Sequence, residues 1–409
     1  MSTRTIVIGV IILFLLLVGG IFWFYSSQRQ NVPGTTTGGI FNFFPFGQGP
    51  ATTNTPPGTT STSTENTQGS AVSSQLHQIS TAPVAGATSF SQTGRDIVRY
   101  TERSTGHTYD AFVDTVGVVR MSNTTIPKVS EALWSPATSS LIVRYLDSGE
   151  NITTYAATLL KQGEEGQLSG IFLPRNILNI TFSPNGSSLA YLTDTASGAE
   201  VITAKADGSK KTSIFTSPLH EWLLSWPATA TLMLQSKPSA SAEGFLYSLG
   251  INGKVKKVLG NILGLTASVN SAFSKIVFSE SAENGLAMRV LDMKSGTTLQ
   301  LPLSTLPRDK CVWSTRSTTI IFCAAPRQLP AAAYPDAWYQ GLISFSDDIW
   351  KIDTVSGNAL LVAVLPEEAI DAIMPMLSPD EHYLFFVNKK DSTLWSLALP
   401  QPTSTSTPR

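Results

Sequence analysis

Few side chains in this 409-residue sequence are suited to chemistry: four histidines, two cysteines and adjacent acid pairs such as Asp347-Asp348. His77, His107, His220 and His382 share no common spacing. A zinc-protease helix needs a second histidine four residues after a His-Glu pair, so that both rings meet one ion. His220-Glu221 is followed by Trp222-Leu223-Leu224 and lacks it. The chain has no Gly-x-Ser-x-Gly nucleophile turn and no Gly-rich phosphate loop. Asp347-Asp348 could hold a cation or share acid–base work. Neighbours on a strand face opposite ways, however, and this pair opens a strand-like run over 349–353, so we read it as structural. Glu367-Glu368 reads as a solvated loop. The sequence thus assigns no catalytic residue, metal ligand or cofactor, and it does not read as an enzyme.

Cys311 and Cys323 carry more information. If Trp313 faces Ile321 across a hairpin, Cys311 faces Cys323. Directly opposed residues have Cα atoms about 4.5–5.5 Å apart, within reach of a disulfide. A bridge and a pair of buried thiols both satisfy that register.

The elements that must position these residues come from a repeat. The run Phe182-Ser183-Pro184-Asn185-Gly186 followed by Leu189-Ala190-Tyr191 reads as strand, tight turn, strand. Copies centre on Pro136, Pro227, Thr315 and Pro379, with weaker ones at Gln92 and Ser271. Successive centres lie 44, 48, 43, 44, 44 and 64 residues apart. A second mark precedes six of them at a regular distance: Pro83, Pro127, Pro174, Pro218, Pro307 and Pro366. Each unit has room for four short strands; in the third these fall at 178–182, 189–193, 201–206 and 212–215. Four strands in about 44 residues is a propeller blade. The prediction is an all-β, seven-bladed β-propeller over 75–399. The last unit lacks a fourth strand, and residues 75–80 are predicted to supply it, joining the chain ends and removing an open sheet edge. The competing reading leaves 75–80 in the linker.

The 64-residue gap places an insertion between the second and third strands of blade 6, at 324–348. Such loops and the inter-blade loops leave a propeller on one face. Tyr334, Pro335, Asp336, Trp338 and Tyr339 therefore form a candidate binding loop, with His107, His220 and Trp222 as a candidate rim. Exposed Tyr and Trp give contact area at low entropic cost. The alternative is that these aromatics fold down as local core.

Residues 5–25 contain no charge and include a run of seven Ile, Leu and Phe residues, enough apolar helix to cross a bilayer of about 30 Å. The stretch is too long for a signal-peptide core, and Trp23 and Tyr25 suit a membrane interface. We expect a short tail (1–4), a single anchor (5–25) with its amino end cytoplasmic, and a disordered Thr/Ser/Gly/Pro linker (26–74) reaching about 40 Å. The extracytoplasmic propeller follows, then a disordered tail (400–409). Phe41, Phe43, Phe44 and Phe46 form a membrane-proximal candidate docking cluster. Charged residues are only 14% of the chain, with 28 Lys+Arg against 29 Asp+Glu, so no basic face for nucleic acid is expected. The sequence does not fix an oligomeric state.

The Ser-Pro-(Asn/Asp) turn followed by an apolar strand resembles the propeller of TolB and related PD40-type, WD40-like repeats over about 85–399. The resemblance implies architecture. An anchor stands where that family has a cleaved signal and an amino-terminal domain, so the family's lipoprotein-binding role is not carried over. The resulting expectation is a tethered, non-catalytic binding or scaffold module for a cell-envelope protein or glycan. The alternative is a carbohydrate lyase or hydrolase with its site at the channel mouth.

Overall fold

The computed structural model describes residues 76–113, 117–162, 165–283, 285–366 and 370–401. The expected anchor, the linker with its phenylalanine cluster, Glu367-Glu368 and most of the tail lie outside them. Among the described residues no helix is long and apolar enough to cross a membrane.

The described strands form seven antiparallel sheets of four, six of them in simple sequence order. Blades 1 to 6 span 84–120, 129–172, 177–217, 222–263, 266–301 and 311–364. Blade 7 is built from Ala372–Leu377, Tyr383–Asn388 and Leu394–Ala398, with Leu76–Gln78 as its outer strand. The first strand of each blade lines the channel. The strands of blade 3 are Ile177–Phe182, Ser188–Thr195, Gly198–Lys205 and Thr212–Ser217, slightly longer than the apolar runs suggest. Backbone pairing carries them past the last apolar residue.

Side-chain alternation explains why the sheets stack. Each central strand is apolar on both faces, as in Leu189 to Leu192, which are 1% exposed or less. Seven hydrophobic clusters result, and each joins one blade to the next. The seventh sets Val84, Val98 and Tyr100 of blade 1 against Phe385, Val387 and Leu394 of blade 7. With seven blades and seven interfaces, the ring is closed.

The Ser-Pro turn has a second use. Ser183 Oγ accepts from Ser188 N at 3.0 Å, sealing its own turn. Ser135 Oγ accepts from Ala137 N and donates across the blade boundary to Gly186 O at 3.1 Å. Gly186 sits at φ 70°, and a Cβ there would lie 2.2 Å from Ser135 Oγ. The Asn-Gly pair thus serves the neighbouring blade as well as its own turn.

Cys311 lies opposite Cys323 with Cα atoms 4.1 Å apart, and their sulfurs are bonded. Ring closure rests on the pairs Leu76 with Leu397, His77 with Ser396 and Gln78 with Trp395. Ile79 N–H donates to Leu394 O at 2.8 Å. Alternation along an antiparallel edge then turns the His77 N–H inward and the Gln78 N–H to solvent. His77→Pro should therefore remove a ladder bond and cost about 1–3 kcal/mol. Gln78→Pro should cost much less. Denaturant unfolding of the two variants side by side checks this.

Candidate functional site

The first strand of blade 6 is only Cys311–Trp313, because a single helical turn, Pro307–Lys310, takes the place of its beginning. Proline suits the first helical position, where its missing N–H has no partner to lose. Lys310 ends the turn pointing inward with no solvent exposure. Its Nζ donates to Asp371 Oδ1 at 2.6 Å, Asp347 Oδ2 at 2.7 Å and Ala372 O at 2.9 Å. The rings of Phe345 and Trp338 close the remaining sides, with centroids 5.2 and 5.4 Å away. Asp371 Oδ2 accepts from Trp338 Nε1, Phe345 N and Ser344 Oγ at 2.9–3.1 Å. Asp347 Oδ2 also accepts from Ala372 N at 2.7 Å, whereas its Oδ1 is buried without a hydrogen-bond partner.

Environment separates the two acids. Burial pushes the Asp347 carboxyl up to about 6 against the pull of Lys310. Burial acts on Asp371 too, but Lys310 and the donors from Phe345 and Trp338 outweigh it and hold that carboxyl below its ordinary range. Asp347 and Asp348 do face opposite ways. Asp348 takes a bidentate pair from Arg327, 2.7–3.0 Å, on the other side of the strand.

The insertion folds over this centre. Tyr334 and Trp338 are 1% and 3% exposed and pack with Leu286, Leu306 and Phe345 in an eighth cluster. Pro335, which follows a cis peptide bond, is buried as well. Of the two readings of this loop, the structure takes the one in which the aromatics become local core. The reason is that Trp338 Nε1 and the insertion's backbone satisfy a buried carboxylate. Asp336 is tied to the blade 4 loop, accepting from Ala240 N at 2.6 Å and Ser239 Oγ at 3.1 Å. Ser281 of blade 5 donates to Tyr334 O. Lys389 of blade 7 donates to Trp338 O at 2.7 Å, over the ring of the same residue, and desolvation there lowers its pKa. Tyr339 stays 40% exposed and Leu342 73%.

The rim residues do not converge. Trp222 is 7% exposed, donates to Ser217 Oγ at 2.9 Å and belongs to the core between blades 3 and 4, which corrects its place on the rim. His220 pairs with Asp194 at 2.6 Å on blade 3. His107 meets Arg120 at 2.8 Å and Thr125 at 3.0 Å on blade 1, and partial burial lowers its pKa. His77 lies on the outer strand of blade 7, and His382 approaches Asp96 at 3.8 Å on the opposite face. Among the described residues no group of three His, Cys, Asp or Glu could hold a metal ion.

The same helical turn equips the channel mouth. Tyr339 donates to Asp309 Oδ2 at 2.6 Å. Desolvation raises both groups, Asp309 above the ordinary carboxylate range and Tyr339 well above that of a phenol, the latter also through the Asp309 charge. Arg308 extends from the turn toward blade 4, where Nη2 lies 3.4 Å from Leu224 O. Two cavities of about 450 and 420 Å³ occupy the channel, and Arg308, Glu131 and Met374 line both. Sequence reasoning did not single out Lys310 or Arg308. A signal was present: Pro307, one of the repeat marks, is followed by three successive charges in a sparsely charged chain.

Replacing Lys310 by Met should leave two carboxylates buried without their cation and destabilise the fold by about 3–5 kcal/mol, read by denaturant unfolding. A raised carboxyl pKa favours the folded state fully below the ordinary value of 3.8, and that contribution is lost as pH rises to about 6. Asp347→Asn should therefore gain on the wild type by roughly 1–3 kcal/mol across this window. Paired unfolding curves at several pH values test it. Asp371 works in the opposite sense, its contribution fading as pH falls.

No family model and no curated protein matches the chain. Solved structures do. An oligogalacturonate lyase in complex with manganese aligns over 81% of this chain and 95% of its own, with TM-score 0.53 and 11% identity. An oligogalacturonate lyase from Vibrio parahaemolyticus covers 80% and 94%, with TM-score 0.54 and 8% identity. The tricorn protease aligns over 80% of this chain and 34% of its own, with TM-score 0.50 and 10% identity. At such identities the likeness is one of architecture: the chain shares the β-propeller fold of these proteins.

Proposed function

We propose that this chain is a membrane-tethered, extracytoplasmic propeller acting as a non-catalytic binding or scaffold module for a cell-envelope protein or glycan. The channel mouth beneath the insertion is its recognition surface. One observation carries the reading. The insertion is fastened to blades 4, 5 and 7 through Asp336, Tyr334 and Trp338, yet it leaves Leu342 exposed and Tyr339 part-exposed on Asp309, which lines the channel cavity. An aromatic side chain held by a hydrogen bond next to a cavity is a binding arrangement, since little of its freedom remains to be lost. The Cys311–Cys323 bridge suits an oxidising compartment, and the uncharged run 5–25 suits a tether.

The catalytic alternative would use the hydrogen-bonded Asp309–Tyr339 pair: burial raises the Asp309 carboxyl, which suits a proton donor, whereas it makes the Tyr339 phenol a weaker acid. We favour the binding reading because the pair is already satisfied internally. The mouth's cation, Arg308, suits an anion better than a proton relay.

Cross-linking mass spectrometry on intact cells tests the proposal by comparing the wild type with a Tyr339→Ala, Leu342→Ser double variant. Tyr339→Ala also removes the bond to Asp309, so the unfolding midpoint of the variant is read alongside capture. The expected result is one envelope component captured by the wild type and lost by the variant. Equal capture by both would overturn the mouth as recognition surface.

A further inference from the structure

Arg308 differs in its partners from Arg99, Arg144 and Lys310. Arg99 has a bidentate carboxylate partner in Asp110, Arg144 has Glu131, and Lys310 has two acids. The Arg308 guanidinium, half-buried in the channel, has among the described residues one 3.4 Å contact with a backbone carbonyl and no ion pair. The acids near it are engaged elsewhere. Glu131 pairs with Arg144 at 2.8 Å and Asp309 is bonded by Tyr339 at 2.6 Å. The walls around it mix polar groups, among them Ser225, Ser268 and Thr181, with apolar ones. Met374 is held at φ 49° by a bulge in the inner strand of blade 7, which leaves it 43% exposed in the channel beside Trp226 and Pro227. A non-glycine residue in that conformation carries strain, which here presents an apolar side chain to the cavity.

We propose that the channel receives the free carboxyl end of an extended peptide, its carboxylate on Arg308 and its last apolar side chain against Met374 and Trp226. This rests on the binding reading above and names the ligand class. A planar guanidinium binds carboxylate through two parallel hydrogen bonds. Inner strands surround the cavity laterally, so a ligand enters end-on, and a chain terminus does this without folding back.

The test uses the full-length chain in detergent against an immobilised library of random hexapeptides, made once with free carboxyl ends and once with carboxamide ends. A subset should bind as the acid and about tenfold more weakly as the amide, the loss of one charge-assisted pair. Arg308→Gln should erase that difference while leaving the unfolding midpoint in place, and Arg308→Lys should restore part of it. No binding in the acid library, equal binding of acid and amide, or a preference that survives Arg308→Gln would overturn the proposal. In-cell capture that depends on Tyr339 and Leu342 but ignores Arg308→Gln would overturn this inference and leave the binding reading standing. Carboxylate-dependent peptide binding in detergent without any captured envelope component would do the reverse.

Discussion

A lysine with no access to water is the constraint around which the insertion face is arranged. Removing an ammonium from solvent costs several kcal/mol, and this is offset only where other groups replace its hydration shell with good geometry. Lys310 obtains three acceptors from two segments: Asp347 at the start of a blade 6 strand, and Asp371 and Ala372 at the entry to blade 7. Each segment is held to within hydrogen-bond tolerance of the other. The insertion completes the shell, because Trp338, Ser344 and Phe345 satisfy the outer oxygen of Asp371. A loop that looks like a surface excursion in the sequence is thus part of a buried polar centre.

The rest of the ring depends on a more distributed force. Each interface between blades is a small apolar cluster of like composition, and none dominates. In such an array the first and last blades need an additional connection, because an unclosed ring would expose one apolar face and a sheet edge. The strand Leu76–Gln78 supplies the hydrogen bonds, and the cluster of Val84, Val98 and Phe385 supplies the burial. Hydroxyls at the turns after the inner strands add polar links from blade to blade, as Ser314 does by donating to Glu381 at 2.7 Å.

The architecture was legible in the sequence because it repeats. A turn residue at each period, a proline before it and alternating apolar runs gave blade number, strand positions and the insertion site. The Cys311–Cys323 register followed from hairpin symmetry alone. The site was less legible because it occurs once. Trp338 and Tyr334 were recognisable as important, yet a local reading cannot tell an aromatic that greets a partner from one that covers a buried charge. That distinction is set by Asp371, 33 residues further on. Trp222 misled for a similar reason: its indole N–H finds Ser217 five residues earlier and its ring fills the next blade interface.

The buried ion centre also bears on the recognition proposed for the mouth. A buried ion pair is commonly no more stabilising than well-packed apolar residues of the same volume, so its use must lie in what it positions. Here it fixes the terminal residue of a single helical turn. Lys310 is turned inward, which leaves Asp309 to meet Tyr339 and sends Arg308 toward blade 4. An apolar residue at 310 could fill the same volume, but it would slide and rotate at little cost, and the guanidinium two residues earlier would move with it. Hydrogen bonds to two carboxylates and a carbonyl permit one rotation of the turn. The fold shared with distant propellers provides the channel, and it is this local, non-repeating chemistry that decides what the channel can hold.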